Sequence, residues 1–171
     1  MRVMMTGPTQ RTLSKVILAF FYLYFLLHWF TGILMFRDKL GFSYQGVVRY
    51  FLGDPELFMT PRSFIGLLEV THFHLFAMGL FFVVFTHLLM FSPLKEGIKA
   101  TLIWLLGLSL LADIGSSWLT RYVAAPFAWL KLGSFWVFQI VCLILLLGLF
   151  TSLFHNKRVA PLRPEGVQKR T

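Results

Sequence analysis

Acidic residues are scarce in this chain. Seven Asp and Glu stand against 16 Lys and Arg, and charged residues make up only 13% of the 171 positions. Hydrophobic residues make up 57% and aromatic residues 18%, whereas soluble domains are about 45–50% apolar. This composition excludes a water-soluble enzyme and indicates a protein whose solvent is largely lipid.

Cysteine is nearly absent, and no cysteine set for metal binding or motif for a soluble cofactor is present. The single cysteine, Cys142, lies inside an apolar run, so it cannot form an intrachain disulfide and is interpreted as a packing residue. The net charge of +9 comes from basic residues that flank the apolar runs, where they meet anionic headgroups. That distribution argues against nucleic acid as a partner.

Four apolar runs are each near the ~20 residues that cross a bilayer as a helix. The predicted spans are about 16–36, 65–91, 98–119 and 133–154, and Thr60-Pro61 and Ser92-Pro93 predict the starts of the second and third helices. The predicted fold class is an all-α membrane protein, an antiparallel bundle of four transmembrane helices forming a single integral membrane domain over residues 1–171. Lys and Arg are more frequent on the side that holds both ends, which predicts cytoplasmic N and C termini in a bacterial inner membrane. Residues 159–171 are interpreted as a mobile basic tail.

Ionisable residues inside a span are functional candidates. The second span carries most of these residues: Glu69, His72, His74 and His87. The others are His28 on the first span, Asp113 on the third and His155 at the end of the fourth.

Helix geometry sorts the histidines of the second span. His72 and His87 lie roughly 22 Å apart along the axis and about 60° apart around it. Gly79 lies between them, about 20° from His72, and a glycine there allows a large flat group to approach the backbone. His74 lies about 160° from His72, and we interpret it as a packing residue or a hydrogen-bond partner of a neighbouring subunit.

Depth in the membrane suggests which histidines meet. His28 and His72 both lie roughly 10–12 Å below the outer boundary, while His87 and His155 lie toward the inner one. Two histidines facing each other at one depth are what bis-histidine haem b ligation requires. We therefore expect His28 and His72 to ligate an outer haem iron and His87 an inner one. His155 is either the second ligand of the inner haem iron or a contact to lipid headgroups.

The His28-Trp29 pair, and the long-spaced His72 and His87 with Gly79 between them, resemble the pattern of small four-helix membrane cytochromes b of the b561 and quinol-oxidising types. The resemblance implies a haem b subunit with one or two haems. It also implies electron transfer between the quinone pool and a partner redox complex, in company with other membrane subunits.

The carboxylates have two interpretations. Glu69 and Asp113 could accept protons from a quinol beside the outer haem, with Gln139 hydrogen-bonded to a quinone carbonyl. Alternatively, they pair with Arg62 or Arg121.

Two other functions remain open at this point. Because only one span carries a long-spaced histidine pair, a haem-less structural or anchoring subunit of a larger membrane complex is the main alternative. A divalent-metal site formed by Glu69, His72 and His28 is the other.

Overall fold

The computed structural model describes residues 8–92 and 94–154, and side-chain surroundings between residues 12 and 148. This part of the chain is helical and forms no named strand. Its five α-helices are α1 (Pro8–Lys39), α2 (Tyr44–Leu52), α3 (Phe64–Met90), α4 (Glu96–Tyr122) and α5 (Phe127–Phe154). All but α2 are long and apolar enough to cross a membrane. The predicted all-α fold with four spanning helices is confirmed, whereas the tail 159–171 and His155 lie outside the described residues.

The start of α3 differs from the prediction. The helix begins at Phe64, and the Ser63 hydroxyl caps it by accepting a hydrogen bond of 3.1 Å from the Gly66 amide. Thr60 and Pro61 remain outside the helix, because the Arg62 amide donates to the Phe51 carbonyl at 3.1 Å and ties this segment to α2. A cap motif is a local signal, and here a longer-range backbone hydrogen bond overrides it.

The start of α4 also differs. The helix begins at Glu96, and its N-cap residue Lys95 makes no side-chain cap hydrogen bond. The Ser92 hydroxyl instead donates to the Leu89 carbonyl at 2.7 Å. Ser92 therefore satisfies a carbonyl at the end of α3, where the last helical turn lacks backbone donors, and it does not start α4.

The helices bury two apolar clusters. The closest helix pair is α4 with α5. One cluster joins the spans around Phe25, Phe85 and Leu106, and the Phe25 and Phe85 rings meet edge-on with centroids 4.3 Å apart. The other lies at the opposite end of the bundle, where Val47 and Phe51 of α2 pack among residues of α1, α3 and α5. The short helix α2 therefore closes one end of the bundle, which we call the α2 end.

A glycine makes the turn after α2. Gly53 has φ 81° and ψ 177°, a backbone conformation that is essentially restricted to glycine. A Cβ atom there would lie 2.5 Å from the Met59 carbonyl oxygen. The turn leads into the paired backbone of Asp54 and Met59, so it positions the segment that returns to α3.

We predict that Gly53→Ala destabilises the protein by about 1–3 kcal/mol, because the new methyl group meets backbone in a conformation that alanine avoids. Thermal unfolding in detergent measures the loss. Gly97→Ala is the matched control, since nothing lies within 4 Å of a Cβ at Gly97. Equal stability of the Gly53→Ala and parent proteins would contradict the assigned turn conformation.

A candidate ligand cavity

A cavity of about 400 Å³ opens between the four spanning helices near the α2 end. Its size lies within the range of roughly 300–1,000 Å³ that is common for small-molecule sites. The wall is mainly apolar, and several polar side chains line it: His28, Arg62, His74, Asp113, Lys131 and Gln139. An apolar cavity with a few convergent polar groups is the usual form of a binding site.

Two of the lining residues are histidines from different helices. His28 of α1 and His74 of α3 are half-buried and line the same cavity. The His74 Nδ1 atom lies 2.8 Å from the Val70 carbonyl oxygen. Since a carbonyl only accepts, Nδ1 is the donor, and the neutral ring keeps its lone pair on Nε2. This arrangement fixes the ring and leaves one nitrogen able to bind a ligand or a metal.

The structure brings His28 together with His74 and not with His72. His72 and His87 are both exposed on the outward side of α3, where their rings contact Phe73 and Phe91, respectively. The expected pairing of His28 with His72 must therefore be corrected. His72 and His74 differ by only about 3 Å in depth but point to opposite sides of the helix, so depth alone could not separate them.

The sequence alone could not identify His74, because α3 is apolar on all sides and the face that packs on the bundle shows only in which of its residues are buried. Buried or half-buried residues recur along α3 at intervals of three and four, and His74 belongs to this series with Leu67, Met78, Phe81 and Phe85. Such spacing marks the face of a helix that packs on its neighbours. Gly79 lies off this face, is exposed and has nothing within 4 Å of a Cβ, so it does not line the cavity.

Asp113 forms an ion pair inside the bundle. The Lys131 Nζ atom lies 2.8 Å from Asp113 Oδ2 and 3.0 Å from the Asp113 carbonyl oxygen. The side chains are 18% and 11% exposed for Asp113 and Lys131, respectively. The predicted pairing of Asp113 with Arg62 or Arg121 is wrong, because the long Lys131 side chain reaches this depth from the first turns of α5.

The other predicted pairings also differ from the structure. Arg121 Nε donates to the Arg62 carbonyl oxygen at 2.8 Å. Glu69 is exposed, and its side chain forms no ion pair with any residue that the structure describes. The two carboxylates predicted to share one role thus have different surroundings, one lining the cavity and one on the outside of α3.

Three buried polar atoms at the cavity have no hydrogen-bond partner among the described residues. They are Arg62 Nε, Asp113 Oδ1 and Gln139 Oε1, and all three residues line the cavity. Gln139, expected to be buried, is 6% exposed. An unpaired buried polar atom costs roughly 1–3 kcal/mol, so a cavity bordered by three of them suits an occupant that pairs with them.

A divalent-metal site does not form from the expected residues. His28 lines the cavity, whereas Glu69 and His72 lie on the outward side of α3. Between residues 8 and 154, Pro93 aside, no group of three or more His, Cys, Asp or Glu side chains could hold a metal ion. Two histidines on different helices, His28 and His74, are what the cavity offers.

A protein family described as a transmembrane helical domain matches residues 41–160. The chain belongs to this Aq_1264_TM family. Comparisons with curated proteins and with solved structures found no match. The Aq_1264_TM match and the four spanning helices identify an integral membrane protein. The matched range includes His74, Asp113, Lys131 and Gln139, while His28 precedes it.

We predict that Lys131→Met lowers stability by about 3–5 kcal/mol, because it leaves the Asp113 carboxylate buried and unpaired. The double variant Asp113→Asn with Lys131→Met should recover most of this loss, since it removes both charges. Unfolding in detergent measures the difference.

Glu96→Gln serves as the control. It breaks the pair of Glu96 with Lys99, in which the Glu96 side chain is 91% and the Lys99 side chain 11% exposed. Because Lys99 Nζ keeps its hydrogen bond of 3.1 Å to the Met90 carbonyl oxygen, the cost should stay below about 1 kcal/mol. A Lys131→Met protein as stable as the Glu96→Gln protein would contradict a buried Asp113–Lys131 pair.

Proposed function

We propose that this chain is a membrane-embedded haem b electron-transfer subunit, with His28 and His74 as the two haem ligands. The observation that carries the proposal is the pair of histidines on α1 and α3 lining one cavity, with His74 oriented through its Nδ1 hydrogen bond to Val70. A bis-histidine haem takes one imidazole nitrogen from each side. Once bound, the haem supplies one-electron chemistry at this site.

The residues around the histidines fit a porphyrin. Gly32 follows His28 by about one turn, and Ala77 follows His74 by about one turn; both line the cavity. Nothing lies within 4 Å of a Cβ at Gly32, so these small residues leave room beside the two rings. Arg62 offers an unpartnered donor, and arginine pairs well with carboxylates such as the propionates of haem.

The proposed electron path runs between the membrane quinone pool and a partner redox complex, with other membrane subunits as partners. Asp113 is the proton-handling group in this proposal, because it lines the cavity and its Oδ1 atom has no hydrogen-bond partner among the described residues. Glu69 lies outside the cavity, so it is no longer assigned this role.

A second candidate function is quinol binding without haem. Asp113 Oδ1 and Gln139 Oε1 are both unpartnered acceptors at the cavity, and the two hydroxyl groups of a quinol are donors. The apolar wall would hold the ring and the start of an isoprenoid tail. A quinol would hydrogen-bond to the acceptors Asp113 Oδ1 and Gln139 Oε1, whereas a haem would bind to His28 and His74.

We expect the purified protein to show a b-type reduced-minus-oxidised spectrum and about one haem per chain in a pyridine haemochrome assay, since the cavity offers one pair of ligands. His28→Ala and His74→Ala should each abolish most of the signal. His72→Ala and His87→Ala are the matched controls and should retain it, because both side chains lie outside the cavity.

Other results would change the assignment. Loss of haem in His72→Ala but not in His74→Ala would overturn the ligand pair. A colourless protein would reject the haem, and quinol titration of the parent against Asp113→Asn would then test the second candidate. A protein that binds neither haem nor quinol would favour the haem-less structural subunit.

We infer that both termini face the cytoplasm of a bacterial inner membrane, because Lys and Arg favour that side. A fluorescent protein fused to the C terminus should therefore fluoresce. Alkaline phosphatase inserted in the short connection between α4 and α5 should be active, since this connection lies on the opposite side. The reverse pattern would invert the orientation and leave the cavity assignment unaffected.

A further inference from the structure

One side of α3 faces away from the rest of the bundle and carries residues that the cavity does not use. We call it the outer α3 stripe; its residues are all exposed and are Ile65, Glu69, His72, Phe76, Gly79, Val83 and Met90. Phe76 is 74% exposed and Val83 61%. The stripe therefore faces either lipid or another protein.

The spacing within the stripe suits a second helix. From Ile65 to Val83 its members recur at alternating intervals of four and three residues, the 3.5-residue period by which two helices pack along a left-handed seam. Near the middle, Gly79 has nothing within 4 Å of a Cβ. Small residues at such positions allow the backbones of two membrane helices to approach closely.

The charges of the stripe distinguish a protein partner from lipid. Glu69 and His72 are both exposed, and their side chains make no hydrogen bond or ion pair with the described residues. Ionisable side chains in a membrane helix are costly toward lipid and generally pair with other protein groups. The helix α1 is also largely exposed, but its histidine, His28, lines the cavity. Among the described residues, the outer α3 stripe is thus an exposed surface that carries an acid and a base without hydrogen-bond or ion-pair partners.

We propose that the outer α3 stripe is the interface between two copies of this chain, in which Glu69 of each copy pairs with His72 of the other. Copies inserted in the same orientation meet with their α3 helices parallel, and a two-fold axis along the membrane normal places residues of equal depth opposite each other. Glu69 and His72 are three residues apart, about 4.5 Å in depth. The Glu69 side chain spans that offset, so the stripe is complementary to itself.

Disulfide cross-linking in native membranes tests the interface. Phe76→Cys and Val83→Cys are introduced separately into a Cys142→Ser background, which removes the single native cysteine. Trp104→Cys is the matched control, since Trp104 of α4 is 68% exposed and lies on another helix. Oxidation should yield covalent dimers from both α3 variants, because facing seam residues come within disulfide range, and no dimer from the control.

A second measurement tests the Glu69–His72 pair. Two differently labelled copies are diluted in lipid vesicles while energy transfer is recorded. Glu69→Gln removes both symmetry-related pairs, and each polar contact between membrane helices is worth roughly 3- to 15-fold, so the variant should weaken the dimer roughly 10- to 200-fold. The exchanged variant, Glu69→His with His72→Glu, should restore the affinity of the parent because it preserves the pair.

The proposal is overturned if α3 and control cysteines cross-link equally, if the chain stays monomeric in vesicles, or if the α3 cysteines cross-link only to a different polypeptide. It is also overturned if Glu69→Gln leaves the dimer affinity unchanged. It does not rest on the haem: a colourless protein that cross-links through α3 supports the interface and rejects the haem separately.

Discussion

The ion pair between Asp113 and Lys131 joins α4 and α5, the two helices that pack most closely. A membrane interior does not solvate an unpaired charge, so each of these side chains depends on the other. The pair therefore constrains how α4 and α5 align along their axes. Asp113 also lines the cavity, and its second carboxylate oxygen, Oδ1, has no hydrogen-bond partner among the described residues.

The cavity depends on the same constraint. Lys131 reaches inward from the α2 end to meet Asp113, and Gln139 lies two helical turns further along α5 with its amide oxygen unpartnered. His28 of α1, His74 of α3 and Arg62 also contribute polar side chains to the wall. Apolar helices with few charges thus enclose a polar site by placing one or two polar residues each at compatible depths.

Helix α3 separates two kinds of surroundings. His74 turns toward the cavity and is fixed by Val70, whereas His72, only two residues earlier, turns outward with Glu69. A step of two residues reverses the side of a helix. The dense polar chemistry of this segment can therefore serve two different surfaces, one lining the cavity and one on the outside of the bundle.

The sequence by itself determined the four spans and the set of polar residues within them. Backbone groups in lipid must bond internally, so an apolar run of sufficient length forms a helix whatever its neighbours are. The tertiary structure decided which polar residues meet. His74 instead of His72 faces His28, Lys131 instead of an arginine pairs with Asp113, and Ser63 instead of Thr60 caps α3. Each of these three choices depends on the rotation of a helix or on a contact from a distant segment. Local hydropathy and cap motifs encode neither the rotation nor the distant contact.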